Sequence, residues 1–247
     1  MLRKWFSLGH RCTSAQLLSD LKLKHESYPF DWIVSKLETV EHCILDNFKE
    51  YINLSNYEQV LTKVSNITDN ETVKADNDFY IYKNKYYDND DNIIFNRFKL
   101  ANYYQKLFDD TDYYKRCIER FNNLLLSENE KGFLYIHPII GSNDCNNTYK
   151  ELIQKFIDFK KFLDTKTLNL IGTFFIIVKT ENDNMDMQSY EKYIDDTLNI
   201  NIFTIYTNNN FLDSSTPFAG NYQSEYALMQ NLFLSSCNKS TEKQDNI

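Results

Sequence analysis

Apolar residues recur along this chain in two different periods, and the switch between them marks out the elements. Lys4 to Leu8 is a short apolar run that Gly9 ends, which predicts a buried strand. Cys12, Ala15, Leu18 and Leu21 then recur at three-residue spacing, with Leu17 widening the stripe, which predicts a helix. Tyr28 to Trp32 is an aromatic turn, since Pro29 biases Tyr28 away from helical geometry. Ser35 and Glu38 match a capping box, and the helix it would open carries Leu37, Val40, Ile44 and Phe48 on one face. Residues 53–71 are polar and weakly patterned. Phe79 to Tyr87 and Asn92 to Phe95 predict a β-hairpin around Asp88 to Asp91. A helical stretch over about Ala101 to Leu126 would bury Tyr114, Cys117, Phe121 and Leu125.

The second half alternates between the two periods. Strands are predicted at Gly132 to His137 (stopped by Pro138), Leu168 to Val178 and Ile200 to Tyr206. Helices are predicted at Tyr149 to Leu163, Ser189 to Leu198 and Tyr222 to Phe233. Strands that alternate with helices of this length call for crossovers and a parallel sheet. The expected fold is therefore α/β, three-layer, with a largely parallel sheet and an added β-hairpin, built as one domain over residues 1–237. Residues 238–247 read as a polar, frayed tail.

Charge narrows the function classes. The net charge is −8, and only five of the 27 basic residues are arginine. Without a basic run, neither a nucleic-acid backbone nor an anionic membrane surface is an expected partner. Abundant Asn, Ile, Tyr and Phe look like the codon bias of an AT-rich genome, which devalues Asn-rich motifs. Polar residues from Ser7 to Ser14 interrupt any secretory h-region, and no run approaches the length of a spanning helix. The five cysteines are scattered without Cys-x-x-Cys spacing, so reduced thiols in a cytoplasmic protein are expected, with no structural zinc and no cofactor.

Chemistry concentrates at Ser7 to Trp32. A glycine between strand and helix permits a tight turn and puts Cys12 in the first helical turn, where free N–H groups favour a thiolate. A small apolar residue opening the core stripe would look the same. Ser7, Gly9 and His10 line this turn and are candidate ligand-binding residues. Among the four histidines, His137 ends a buried strand, where α/β folds place functional groups, and is the candidate base. His25 and His42 fall on polar faces and read as solvent-exposed. Asp31 could orient a base, bind a polar group or cap the helix near Ser35. The acidic cluster at Asp88, Asp90 and Asp91 reads first as a hairpin turn, and second as a divalent-cation site of the glycosyltransferase kind. Phosphate-loop and nucleophile-elbow motifs do not occur.

Phe6, Ser7, Leu8, Gly9 and Cys12, followed by Ala15, Leu18 and the run Ser27 to Ile33, resemble an uncharacterised family described as papain-like cysteine peptidases. Weaker matches are Lys115 to Phe121 and Phe133 to Ile136. The resemblance implies Cys12 as nucleophile and a papain-like α+β fold, an alternative to the parallel sheet. It also implies a His-Asp pair on the strand before the long helix, where this chain has Ile93 to Phe98 and no histidine. The resulting expectation is a thiol acyl-transfer enzyme or cysteine peptidase acting on a peptide or small-molecule substrate, with Cys12, His137 and Asp31 as catalytic residues. The alternatives are an α/β glycosyltransferase-like or nucleotide-sugar-binding protein and an inactive binding domain.

Overall fold

A computed structural model describes residues 3–9, 12–31, 33–62, 79–87, 94–97, 111–139, 146–180, 190–207 and 223–242. Five strands form the central sheet: β1 (Lys4–Ser7), β6 (Lys131–Ile139), β7 (Leu170–Thr180), β8 (Tyr190–Asp195) and β9 (Ile200–Thr207), in the order β1-β6-β7-β9-β8. The pairs β1–β6, β6–β7 and β7–β9 are parallel, as the alternating periods predict, and only β8 runs antiparallel. The largely parallel sheet replaces the papain-like α+β alternative. A second, wholly antiparallel sheet has the order β2 (Ile33–Val34), β5 (Ile94–Arg97), β4 (Phe79–Asn84), β3 (Tyr57–Thr62). It contains the predicted hairpin as β4 and β5, joined by β2 and β3.

Period-two alternation gives the central sheet two apolar faces. Trp5, Leu134, Ile136, Phe174, Ile176 and Phe203 share one core with Leu17 and Leu18 of helix α1 (Cys12–Asp20). Met229 and Phe233 of the last helix, α6 (Gln223–Glu242), complete that core. Phe6, Phe133, Tyr135, Phe175 and Ile177 face the opposite way. They meet Phe121 of α4 (Thr111–Leu126), Phe156 and Phe159 of α5 (Asn146–Asp164), Val40 of α2 (Leu37–Leu45) and Tyr51 of α3 (Lys49–Ile52). The result is three layers. Trp5 lies across Gly132 and Gly172, where any β-carbon would collide with the indole, so these two glycines make room for the largest ring of that face. No helix among the described residues is long and apolar enough to cross a membrane.

Several expectations are corrected. Where a helix was expected over Ser189 to Leu198, Tyr190–Asp195 is strand β8 and a turn follows it, while Ser189 lies outside the described residues. Asp195 Oδ1 accepts from the Thr197 and Leu198 N–H groups, and Asn199 takes φ 53°, which folds the chain back along the outer edge of β9. The edge of β9 then supplies backbone partners that a helix would not use. The capping box at Ser35 does not form. The α2 N-cap is Lys36 with no side-chain cap bond, because Ser35 Oγ donates instead to the Leu8 carbonyl at 3.3 Å. Phe48 lies past the end of α2, at φ 62°. The weakly patterned stretch contains β3.

Pro138 does not stop β6, whose pairing with β7 continues through Ile139. The Ile136 N–H points to the β1 side, toward Ser14, and Pro138 two residues on has the same sense. By then β1 has ended at Ser7, opposite Leu134, so the proline removes no ladder bond.

Candidate functional site

The turn after β1 is built almost wholly from buried polar contacts. The Leu8 N–H continues the ladder to the Leu134 carbonyl at 3.1 Å. Gly9 follows at φ 92°, and a β-carbon there would run into Ser35 Oγ. Glycine is therefore required on two counts: the positive φ and the close approach. Ser14, in the first turn of α1, donates from Oγ to the Gly9 carbonyl at 3.1 Å and accepts from the Ile136 N–H at 3.2 Å. One hydroxyl thus ties turn, helix and neighbouring strand together. Ser35 holds the turn from the other flank, and Tyr135 Oη donates to the Ser35 carbonyl at 3.4 Å.

Asp31 supports the base of this assembly. Its carboxylate has no exposed surface and accepts from Ser7 Oγ at 2.6 Å and from the Tyr28 N–H at 2.7 Å. Lys24 Nζ completes the set, 2.8 Å from Oδ2, with a second bond to the Glu26 carbonyl at 2.9 Å. Burial pushes the Asp31 carboxyl up from its ordinary value, and Lys24, Ser7 and the Tyr28 N–H pull it back. Asp31 does not cap α2; its partners are β1 and its own turn. Tyr51 Oη donates to the Pro29 carbonyl at 2.7 Å and fixes the aromatic turn from α3.

The structure thus brings Ser7, Gly9 and Asp31 together around the start of α1, whose first residue is Cys12. His137 is placed differently. Its ring lies 6.1 Å from Tyr135 in a stacked arrangement and 6.1 Å edge-on to Phe156, on the α5 face of the sheet. Helix α1 packs on the other face. Burial lowers the imidazole to about 4, a shift that Glu38 opposes and Lys155 and Lys36 assist. It is neutral at pH 7. His25 is exposed, as expected, while His42 is held between the Tyr86 and Tyr87 hydroxyls, each at 3.3 Å. His10, Trp32, the Asp88 to Asp91 cluster and the Cys12 side chain lie outside the described residues.

Sequence reasoning missed Ser14, Ser35 and Lys24. Ser14 carries no signal in sequence and Ser35 reads only as a helix cap, and the packing of α1 and α2 against the turn gives both their partners. Lys24 and Asp31 are seven residues apart, but Pro29 lies between them and the segment is not helical, so helical spacing does not bring them together.

Residues 3–200 match a family described as "Putative papain-like cysteine peptidase (DUF1796)". The chain belongs to that family. No curated protein and no solved structure matches it. The match takes in the braced turn, the second sheet and four strands of the central sheet, reaches only the first residue of β9, and leaves α6 beyond it.

Proposed function

We propose that this family member is a thiol acyl-transfer enzyme, acting on an amide or ester carbonyl with Cys12 as nucleophile. The observation that supports it most is that α1 opens at Cys12 directly after the braced Gly9 turn, beyond the carboxyl ends of parallel strands. Free N–H groups of a helix's first turn favour a thiolate, and the carboxyl edge of a parallel sheet is where α/β folds bind ligands. In this reading the Cys12 thiolate attacks the carbonyl carbon, a C–S bond forms, and the leaving amine or alcohol departs with a proton. Water then cleaves the thioester. Asp31 and Ser7 position the turn. His137 is the candidate proton carrier, and its low pKa makes it a weak base with no standing imidazolium partner for the thiolate. The parallel sheet also favours a second reading, an α/β transferase or sugar-nucleotide binder whose ligand sits at the same turn.

Iodoacetamide labelling of the folded protein near neutral pH separates the two. Cys43 is buried, with its thiol pushed up to about 12, and burial raises Cys117 as well. A nucleophilic Cys12 should label at least about ten-fold faster than either. Labelling no faster than the buried thiols would make Cys12 a core residue and leave the ligand-binding reading. His137→Ala should slow Cys12 labelling only if that imidazole takes the proton.

A further inference from the structure

A cleft of about 370 Å³ is lined by Ser19, Lys24, His25, Glu26, Ser27 and Arg120. It joins the end of α1 to α4 through the 24–27 segment, and it gathers two permanent cations and a histidine in a chain of net charge −8. The charges are not equivalent. Lys24 is turned inward onto Asp31. Glu26 accepts from Tyr28 Oη at 3.3 Å. Arg120 is half-buried on α4, and among the described residues no carboxylate pairs with it. Its field reaches inward, partly opposing the burial that raises the pKa of both Tyr28 and Cys117. A guanidinium that has lost part of its hydration recovers that cost only through an anionic partner. Its planar fork of donors matches two oxygens of one oxyanion, and the Ser19 hydroxyl and His25 are further donors on the same cleft wall.

We propose that this cleft is an oxyanion-binding site, in which Arg120 takes a phosphoryl or carboxylate group of a small ligand. The site is separate from the Cys12 turn and does not depend on thiol chemistry. The test follows the Arg Nε–H resonances of the intact protein during titration with inorganic phosphate and, separately, glutarate, at ionic strength held constant with chloride. Five arginines give five signals, and Arg120→Gln identifies the one that matters. That signal should move saturably with at least one anion. By calorimetry, Arg120→Gln should weaken the same anion at least about ten-fold, and Arg120→Lys should weaken it less. Glu26→Gln, which removes the opposing carboxylate, should tighten it. Saturation by phosphate alone assigns a phosphoryl ligand, and by glutarate alone a carboxylate. No saturable shift of the Arg120 signal, or an affinity unchanged in Arg120→Gln with a native amide spectrum, overturns the proposal.

Discussion

Ser7 Oγ donates to Asp31 Oδ1 at 2.6 Å, with neither residue exposed to solvent. This bond joins the last residue of β1 to the aromatic turn, across 24 residues that include all of α1. Asp31→Ala should therefore act on the fold before it acts on any reaction. It strands the Lys24 ammonium, whose side chain is only 10% exposed, together with the Ser7 hydroxyl and the Tyr28 N–H. We expect a loss of about 3–5 kcal/mol in urea unfolding, the range for removing one partner of a buried ion pair. Asp31→Asn, which keeps the shape and an acceptor, should lose less. A variant as stable as the parent would show that the pair is not a structural brace.

Ser14→Ala removes a donor to the Gly9 carbonyl and an acceptor for the Ile136 N–H. The cost expected is about 1–3 kcal/mol, set by leaving buried backbone groups unpaired. Amide hydrogen exchange should report it locally, with faster exchange at Ile136 than at Phe175 in the centre of the sheet. Uniformly faster exchange would instead signal a global loss of stability with no special role for the Ser14 bridge.

His137 should make stability fall in mild acid. Its pKa drops from the ordinary 6.5 to about 4 in the folded state because burial disfavours the imidazolium. The folded protein therefore binds fewer protons than the unfolded chain between those two values. Its contribution is complete above pH 6.5 and is lost as pH falls toward 4, by at most about 3 kcal/mol. His137→Phe, placed between Tyr135 and Phe156, should flatten this part of the curve. An unchanged slope between pH 6.5 and 4 in that variant would assign it to other groups.

Lys131 is fully buried, and its ammonium donates to the carbonyls of Ser127, Leu168 and Asn129 at 2.6, 2.6 and 3.0 Å. Those carbonyls lie in the loops entering β6 and β7, so a single charge gathers both crossings. Lys131→Met keeps the length of the stem and leaves the acceptors without that donor. We expect a destabilisation of about 2–4 kcal/mol in urea. Little or no change would mean that water replaces the ammonium in this position.

Much of the three-layer fold was legible because alternation at period two and recurrence at period 3.6 are local properties of the chain. Phe133 to Ile136, Thr173 to Val178 and Ile202 to Ile205 could bury both faces only in a covered sheet, and they pair in parallel as expected. The stretch Tyr190 to Asp195 was not legible: Tyr190, Tyr193 and Ile194 follow helical spacing, and pairing along the edge of β9 overrode it.

The same division runs through the candidate site. Gly9, the helix beginning at Cys12 and the aromatic turn around Pro29 follow from φ requirements and apolar spacing, which act within a few residues. The partners of Asp31, the bridging role of Ser14, the diversion of Ser35 from its cap and the placing of the His137 ring against Phe156 depend on packing between elements distant in sequence. A buried hydrogen bond or ion pair is selected by which groups the folded core deprives of water, and the core exists only once α1, the aromatic turn and β6 have come together.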